Sequence, residues 1–353
     1  MFKIIPSLLL GLFLFSSFTT TSAKKSSNDA PQVIQVQGDV EYTHDPSIMK
    51  EKDMWYLFGT GNGPLHKGQL PIKCSKDLHE WKFCGYVFEQ IPDWIKKESP
   101  KTHELWAPDI SFFHGEYHFY YAFSVFGKNT SGIALVTNKT LDTSSSDFHW
   151  VDHGLVFESK LEDDFNAIDP NLVQTPNGQI WLSFGSFWSG IKMRRIDPET
   201  GMLSKEDTKL YSLATRKRPA NPAPNPPGLP GNWQAVEAPF IIHHGGYYYL
   251  FVSFDLCCRG TKSTYKTMVS RSKKVTGPYV DADGTPMLQG GGTQLLIGNS
   301  RWFGPGGESL FQEKGGRDII VFHAYDGKTG DAYLQISTLG WRDGWPHAVL
   351  EGN

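Results

Sequence analysis

Asp45-Pro46-Ser47, Pro108-Asp109-Ile110, Asp169-Pro170-Asn171, Glu237-Ala238-Pro239 and Pro305-Gly306-Gly307-Glu308 are five versions of one phrase: a proline beside or near an acidic residue at the head of a short apolar run. The prolines stand 62, 62, 69 and 66 residues apart, the length of a four-stranded propeller blade with generous loops. A turn and an aromatic second run follow each phrase. The pairs of runs are Ile48-Met49 and Met54 to Gly59, Ile110 to Phe113 and Tyr117 to Ser124, Leu172-Val173 and Ile180 to Phe184, Phe240 to His243 and Tyr247 to Phe254, and Leu310-Phe311 and Ile319 to Tyr325. Turns such as His114-Gly115-Glu116, Pro176-Asn177-Gly178 and His244-Gly245-Gly246 separate them, which is hairpin chemistry. Five hairpins in phase predict an all-β chain folded as a five-bladed β-propeller. Such a ring brings acids that are distant in sequence around one axis.

Composition agrees with many short strands and tight turns: of 353 residues, 14% are aromatic and 36 are glycine. The repeats leave little room for another domain, so residues 24–353 are expected to form one propeller, with 24–37 as a leader into the first blade. Residues 1–23 read as a secretory signal, with Lys3 as the positive region, Ile4 to Phe18 as the apolar core and Thr21-Ser22-Ala23 as the cleavage site. The apolar run is shorter than the ~20 residues a membrane span needs. The protein is therefore expected to be secreted, extracellular or periplasmic. A net charge of −3 without any basic run argues against nucleic acid and against an anionic membrane as partner, and a monomer is expected. Cys74 and Cys84 flank a turn and could pair; the adjacent Cys257 and Cys258 could form only a vicinal bridge or stay as thiols. Residues 216–232 hold six prolines and read as a surface excursion. Asn129-Thr130-Ser131 and Asn138-Lys139-Thr140 are glycosylation sequons.

The chemistry is expected where the repeats begin. Asp45, Asp169 and Glu237 would face a common funnel, and like charges held close cannot all stay ionised cheaply at neutral pH. At least one carboxyl should keep its proton. A protonated carboxylic acid opposite a carboxylate is what glycoside hydrolysis requires, one to protonate the leaving oxygen and one to activate water. Rings stand beside the acids: Trp106, Phe187-Trp188, Trp233 and Trp302-Phe303. Apolar sugar faces pack on such rings, and Trp106 and Trp188 are the best candidates for substrate contact.

Together His44-Asp45-Pro46-Ser47, Trp106-Ala107-Pro108-Asp109, Asn166-Ala167-Ile168-Asp169-Pro170-Asn171, Phe184-Gly185-Ser186-Phe187-Trp188, Val236-Glu237-Ala238-Pro239-Phe240 and Phe254-Asp255-Leu256-Cys257-Cys258-Arg259-Gly260 resemble glycoside hydrolase family 43, specifically its endo-1,5-α-L-arabinanases. The resemblance spans nearly the whole chain after residue 23. It implies a propeller that hydrolyses arabinan and arabino-oligosaccharides with inversion, Asp45 as general base, Glu237 as general acid and Asp169 as a third carboxylate that tunes the acid. It also implies sugar contacts at His44, Gly132, Asn166, Ala167, Ile168, Gly185, Ser186 and Phe187, and a calcium ion near His323 bound mostly through water. The alternative is an exo-acting α-L-arabinofuranosidase or β-xylosidase on the same fold. One departure stands out: the fifth copy, Gly304-Pro305-Gly306-Gly307-Glu308-Ser309, lacks the histidine and small polar residue expected after its first glycine.

Overall fold

All five predicted hairpins form in the computed structural model, and each is extended outward by further strands. The structure describes residues 1–2, 30–61, 67–216, 235–313, 315 and 317–352. The signal reading of 1–23 beyond its first two residues, the proline-rich stretch beyond Arg216 and Trp233 lie outside them.

From the axis outward, the first blade consists of Ser47–Glu51, Met54–Phe58, Gln69–Ser75 and Glu80–Phe88, and the second of Leu105–Phe113, Glu116–Phe123, Ser131–Asn138 and Val151–Ser159. The third holds Asn171–Gln174, Ile180–Phe184, Ile191–Ile196 and Tyr211–Ala214, and the fourth Val236–His244, Tyr247–Phe254, Lys266–Ser272 and Thr293–Ile297. The fifth holds Trp302–Glu313, Arg317–Asp326 and Ala332–Thr338. Its outermost strand comes from the other end of the chain, because Val33 and Ile34 pair with Ser337 and Ile336. The segment expected only to lead into the first blade therefore completes the last one. It goes on to lay Gln37–Gly38 parallel against Glu80 and Trp81 of the first blade, so one short stretch closes the ring.

Apolar side chains of neighbouring sheets meet in five clusters, one at each seam. Phe58, Ile72, Phe119 and Tyr121 fill the first-to-second seam, with Ile95 of the short helix Asp93–Glu98 against them. Tyr120, Leu182 and Phe184 fill the next, then Trp181, Val252 and Phe254, then Phe251, Ile320 and Phe322, and finally Leu57, Trp81 and Val321 between fifth and first. Removing each such ring from water contributes about 1.5–3 kcal/mol. This apolar wedge packing fixes the angle between blades and leaves the axis to polar groups.

The inner strands begin on a shared backbone device. Asp45, Ala107, Asp169, Ala238 and Gly307 all take left-handed φ values, of 46, 35, 56, 51 and 60°. A non-glycine residue held there stores about 1–3 kcal/mol of strain and is retained only when its surroundings dictate it. These equivalences correct the phase of the fifth copy. The counterpart of Pro46, Pro108, Pro170 and Pro239 is Glu308 and not Pro305, and Gly307 takes the place of Asp45. Only glycine fits, since a Cβ on Gly307 would come within 2.7 Å of Asp45 Oδ1 and 2.8 Å of His323 Nδ1.

The residue one step further on ties four of the five seams, the fourth blade having Phe240 at that place. Ile110 N–H donates to Ser47 Oγ, Leu172 N–H to Asp109 Oδ2, Ile241 N–H to Asn171 Oδ1 and Ile48 N–H to Ser309 Oγ, at 3.1, 3.0, 2.9 and 3.3 Å. Asn171 also donates to Asp109 Oδ1. Asp109 and Glu308 therefore serve the ring: Glu308 accepts from Ser253 and Thr267 of the neighbouring blade. Burial pushes its carboxyl up to about 7 in spite of those donors. The folded chain thus holds that proton over a pH range in which the unfolded chain has released it, and stability falls as pH rises from about 4.5 to 7. Glu308→Gln is expected to flatten this slope by up to the order of 3 kcal/mol, read by urea denaturation at both ends of the window; an unchanged slope would sink the assignment.

Cys74 and Cys84 are joined across their turn, and Cys257 to Cys258 as a vicinal disulfide. The sequons carry no accessible asparagine in the folded chain. Asn129 and Asn138 are buried, and Asn129 donates to the carbonyls of Lys160, Asp163 and Phe165.

Candidate active site

The heads of the inner strands and the loops beside them line a cavity of about 530 Å³ that receives Asp45, Asp169 and Glu237 from the first, third and fourth blades. Beneath it lies an axial void of about 30 Å³ lined by Asp45, Asp109, Asp169 and Glu308, room for a water or two.

The three carboxyls sit in different surroundings. Asp45 Oδ2 accepts from His44 Nδ1 at 2.9 Å and from Thr60 Oγ1 at 2.6 Å, and its N–H donates to His323 Nδ1 at 3.2 Å. Burial alone would raise it, but the His44 and His323 imidazoles and the Thr60 hydroxyl outweigh burial and hold it well below the usual carboxylate range. Glu237 accepts from Ser186 Oγ and Tyr265 Oη, both at 2.6 Å. Burial pushes it up; those hydroxyls pull it down, and the Asp45 charge pushes it up again. Asp169 is raised well above its ordinary value by burial and by the charges of Glu237 and Asp45, while Ala238 N–H donates to its Oδ2 at 3.1 Å. Asp45 is pulled down while Glu237 and Asp169 are pushed up across a single cavity. This is the division of labour that acid–base hydrolysis of an acetal needs.

Residues 40–346 match the family described as glycosyl hydrolases family 43. The chain belongs to that family. It is 43% identical over 309 residues to the extracellular exo-alpha-(1->5)-L-arabinofuranosidase ArbA of Cellvibrio japonicus, covering 86% of this chain and 85% of that one. To the extracellular endo-alpha-(1->5)-L-arabinanase 1 of Bacillus subtilis it is 42% identical over 308 residues, 87% of each chain. Among solved structures, the GH43 endo-arabinanase from Bacillus licheniformis superposes with a TM-score of 0.78 at 43% identity, covering 89% of this chain and 99% of that one. The family 43 chain described here is thus a glycoside hydrolase on a five-bladed propeller.

Of the residues expected at the site, His44, Asp45, Trp106, Asn166, Ile168, Asp169, Ser186, Phe187, Trp188 and Glu237 line the cavity. Gly132, Ala167, Gly185 and His323 stand behind it. A Cβ on Gly132 would run into the ring of Phe123. Ala167 N–H donates to Ser159 and Gly185 N–H to the Ile168 carbonyl, so both brace the wall. Sequence reading missed Thr60, Tyr265 and Tyr325. Thr60 had a signal: Phe58-Gly59-Thr60 ends the second strand of the first blade as Phe184-Gly185-Ser186 ends that of the third, and each hydroxyl donates to a carboxylate. Tyr265, which bonds Glu237, stands in a polar stretch just before the strand Lys266–Ser272, and Tyr325, 2.8 Å from His44 Nε2, stands near the end of the strand Arg317–Asp326; nothing in the sequence distinguishes either.

His323 is fully buried and stacks on His44 with ring centroids 3.9 Å apart. Its Nδ1 accepts the Asp45 N–H, so the neutral ring carries its proton on Nε2, which has no partner among the described residues. A buried N–H without a protein partner suits a water. Calcium prefers six to eight oxygens, and these residues accommodate it only through a water shell.

Proposed function

We propose that this chain is a secreted endo-1,5-α-L-arabinanase that cleaves internal linkages of arabinan with inversion, acting as a monomer. The observation that carries the reading is that Asp45 and Glu237 face one cavity with their carboxyls shifted in opposite directions. In this mechanism Asp45, held anionic by His44 and Thr60, takes a proton from water as that water attacks the anomeric carbon. Glu237, pushed up by burial, donates its proton to the departing oxygen. Asp169, fixed by the Ala238 amide and itself pushed up by burial and by the charges of Glu237 and Asp45, orients a sugar hydroxyl beside the acid. Trp106, Phe187 and Trp188 offer faces for the furanose rings.

Endo action is supported by the Bacillus subtilis and Bacillus licheniformis relatives; the exo reading has the Cellvibrio japonicus enzyme in its favour at the same level of identity. Timed product analysis on linear arabinan separates them. A ladder of oligosaccharides in the first minutes is expected, and arabinose alone from the outset would establish the exo reading. Proton NMR of the first product gives the anomeric outcome, which is inverted if Asp45 works through water.

Calcium is part of the proposal, held through water by His323 with Asp45 alongside, where its charge would steady the base. A chelator is expected to lower Tm, and added calcium to restore it; an unmoved Tm would remove the ion from the account. Secretion rests on residues 1–23 and on the extracellular names of both relatives. A chain recovered from culture fluid with its N-terminus beyond residue 23 is the expected result.

A further inference from the structure

The cavity wall beside His44 carries a group that the hydrolytic chemistry does not use. Cys257 and Cys258 line the cavity, with Cys257 half-buried and Cys258 exposed. Cys258 Sγ stands 3.7 Å from His44 Nε2, and ligand atoms of His44, Cys257 and Cys258 all lie within 4.8 Å of one another.

The tautomer of His44 is set by its neighbours. Nδ1–H donates to the Asp45 carboxylate, so in the neutral ring Nε2 presents its lone pair to Tyr325 O–H, and Tyr325 in turn accepts the Cys258 N–H. An imidazole whose far nitrogen is anchored on a carboxylate is the usual form of a metal-ligating histidine. In the disulfide the two sulfurs are poor ligands. Reduction by a thiol changes that: two electrons and two protons pass to the sulfurs, the S–S bond breaks, and the reductant leaves as its own disulfide. The product is a pair of adjacent thiols beside a ready nitrogen.

We infer that Cys257, Cys258 and His44 form a redox-gated site for a soft divalent cation, zinc by its chemistry, which is closed in the disulfide form and opened by reduction. Two thiolates and one imidazole leave a fourth position for water, the donor set zinc favours over calcium or magnesium. Zinc bonds of about 2.3 Å to sulfur and 2.0 Å to nitrogen at a tetrahedral angle place those donors about 3.5 Å apart, close to the 3.7 Å observed. Binding displaces the two thiol protons and the Tyr325 hydrogen bond. It also puts a dication across His44 from Asp45, which draws electron density from the carboxylate and narrows the cavity. The reduced, zinc-loaded enzyme is therefore inactive, and either a chelator or reoxidation releases it.

The test reads metal uptake, so it stands apart from the identity of the glycoside. Whole protein is reduced with a trialkylphosphine, which takes the oxygen of one water as two thiols form, and is then dialysed against zinc. The expected result is one more zinc per chain than the oxidised protein takes up. Replacing zinc by cobalt should give a thiolate-to-cobalt charge-transfer band in the near ultraviolet. The double variant Cys257→Ser, Cys258→Ser, which keeps Cys74 and Cys84, should lose both signals; alkylating the reduced native protein with iodoacetamide gives the same control should the variant not fold. Equal zinc uptake by oxidised and reduced protein, or uptake that survives serine substitution or alkylation, would overturn the inference.

Discussion

Replacing Glu237 by glutamine is expected to lower kcat on linear arabinan by about 10²- to 10⁴-fold, the worth of one positioned proton donor, with KM little changed. Glutamine fills the same space between Ser186 and Tyr265, whose hydroxyls can rotate to meet an amide, so the loss is of a proton and not of packing. The pH profile adds a second readout. Burial raises Glu237 above the ordinary glutamate value, and an acid works only while protonated. Activity is therefore present below that raised pKa and lost as pH rises through it, and this alkaline limb of kcat/KM should vanish in the glutamine variant. A substrate with an aryl leaving group needs less help from an acid. Glu237→Gln should keep far more of its rate on an aryl arabinofuranoside than on arabinan; an equal loss on both would move Glu237 from proton donor to binding residue.

The ring was legible in the sequence because a blade is a local object. Each hairpin is built from residues adjacent in the chain, and its turn chemistry and paired apolar runs are visible without knowing any partner. What closes the ring is not local. Val33-Ile34 bonds a strand some three hundred residues away, and two apolar residues carry no signal of that. The fifth copy shifts phase for a related reason. Proline is the marker visible in the sequence, whereas the constraint the fold imposes is a left-handed residue at the head of the inner strand, a place that aspartate, alanine and glycine share. The acids were found because their type is rare at a strand head, but the groups that set their ionisation were found only in part. Ser186 came with a motif; Thr60, Tyr265 and Tyr325 act from neighbouring strands or blades. The order of titration therefore emerged only when burial and hydroxyl partners could be read together.

For the base, Asp45→Asn is expected to cost arabinan hydrolysis about 10²- to 10⁴-fold as well, for a different reason. Asparagine tolerates the left-handed region as aspartate does, so the strained entry to the first blade is kept and its N–H still reaches His323. Its amide cannot take a proton from water, and only one of its two heavy-atom ends can accept from both His44 Nδ1 and Thr60. The companion variant Asp45→Ala distinguishes a missing base from a distorted pocket. Azide needs no deprotonation to act as a nucleophile, and in the space vacated by the carboxylate it should accelerate cleavage of an aryl arabinofuranoside and yield the glycosyl azide of inverted configuration. Azide should do nothing for Glu237→Gln on arabinan, where attack is intact and departure is blocked. If Asp45→Asn stays within about tenfold of the parent rate, or azide gives no glycosyl azide with Asp45→Ala, the attacking water must be activated by another group. Asp169 would then be the next carboxylate to replace.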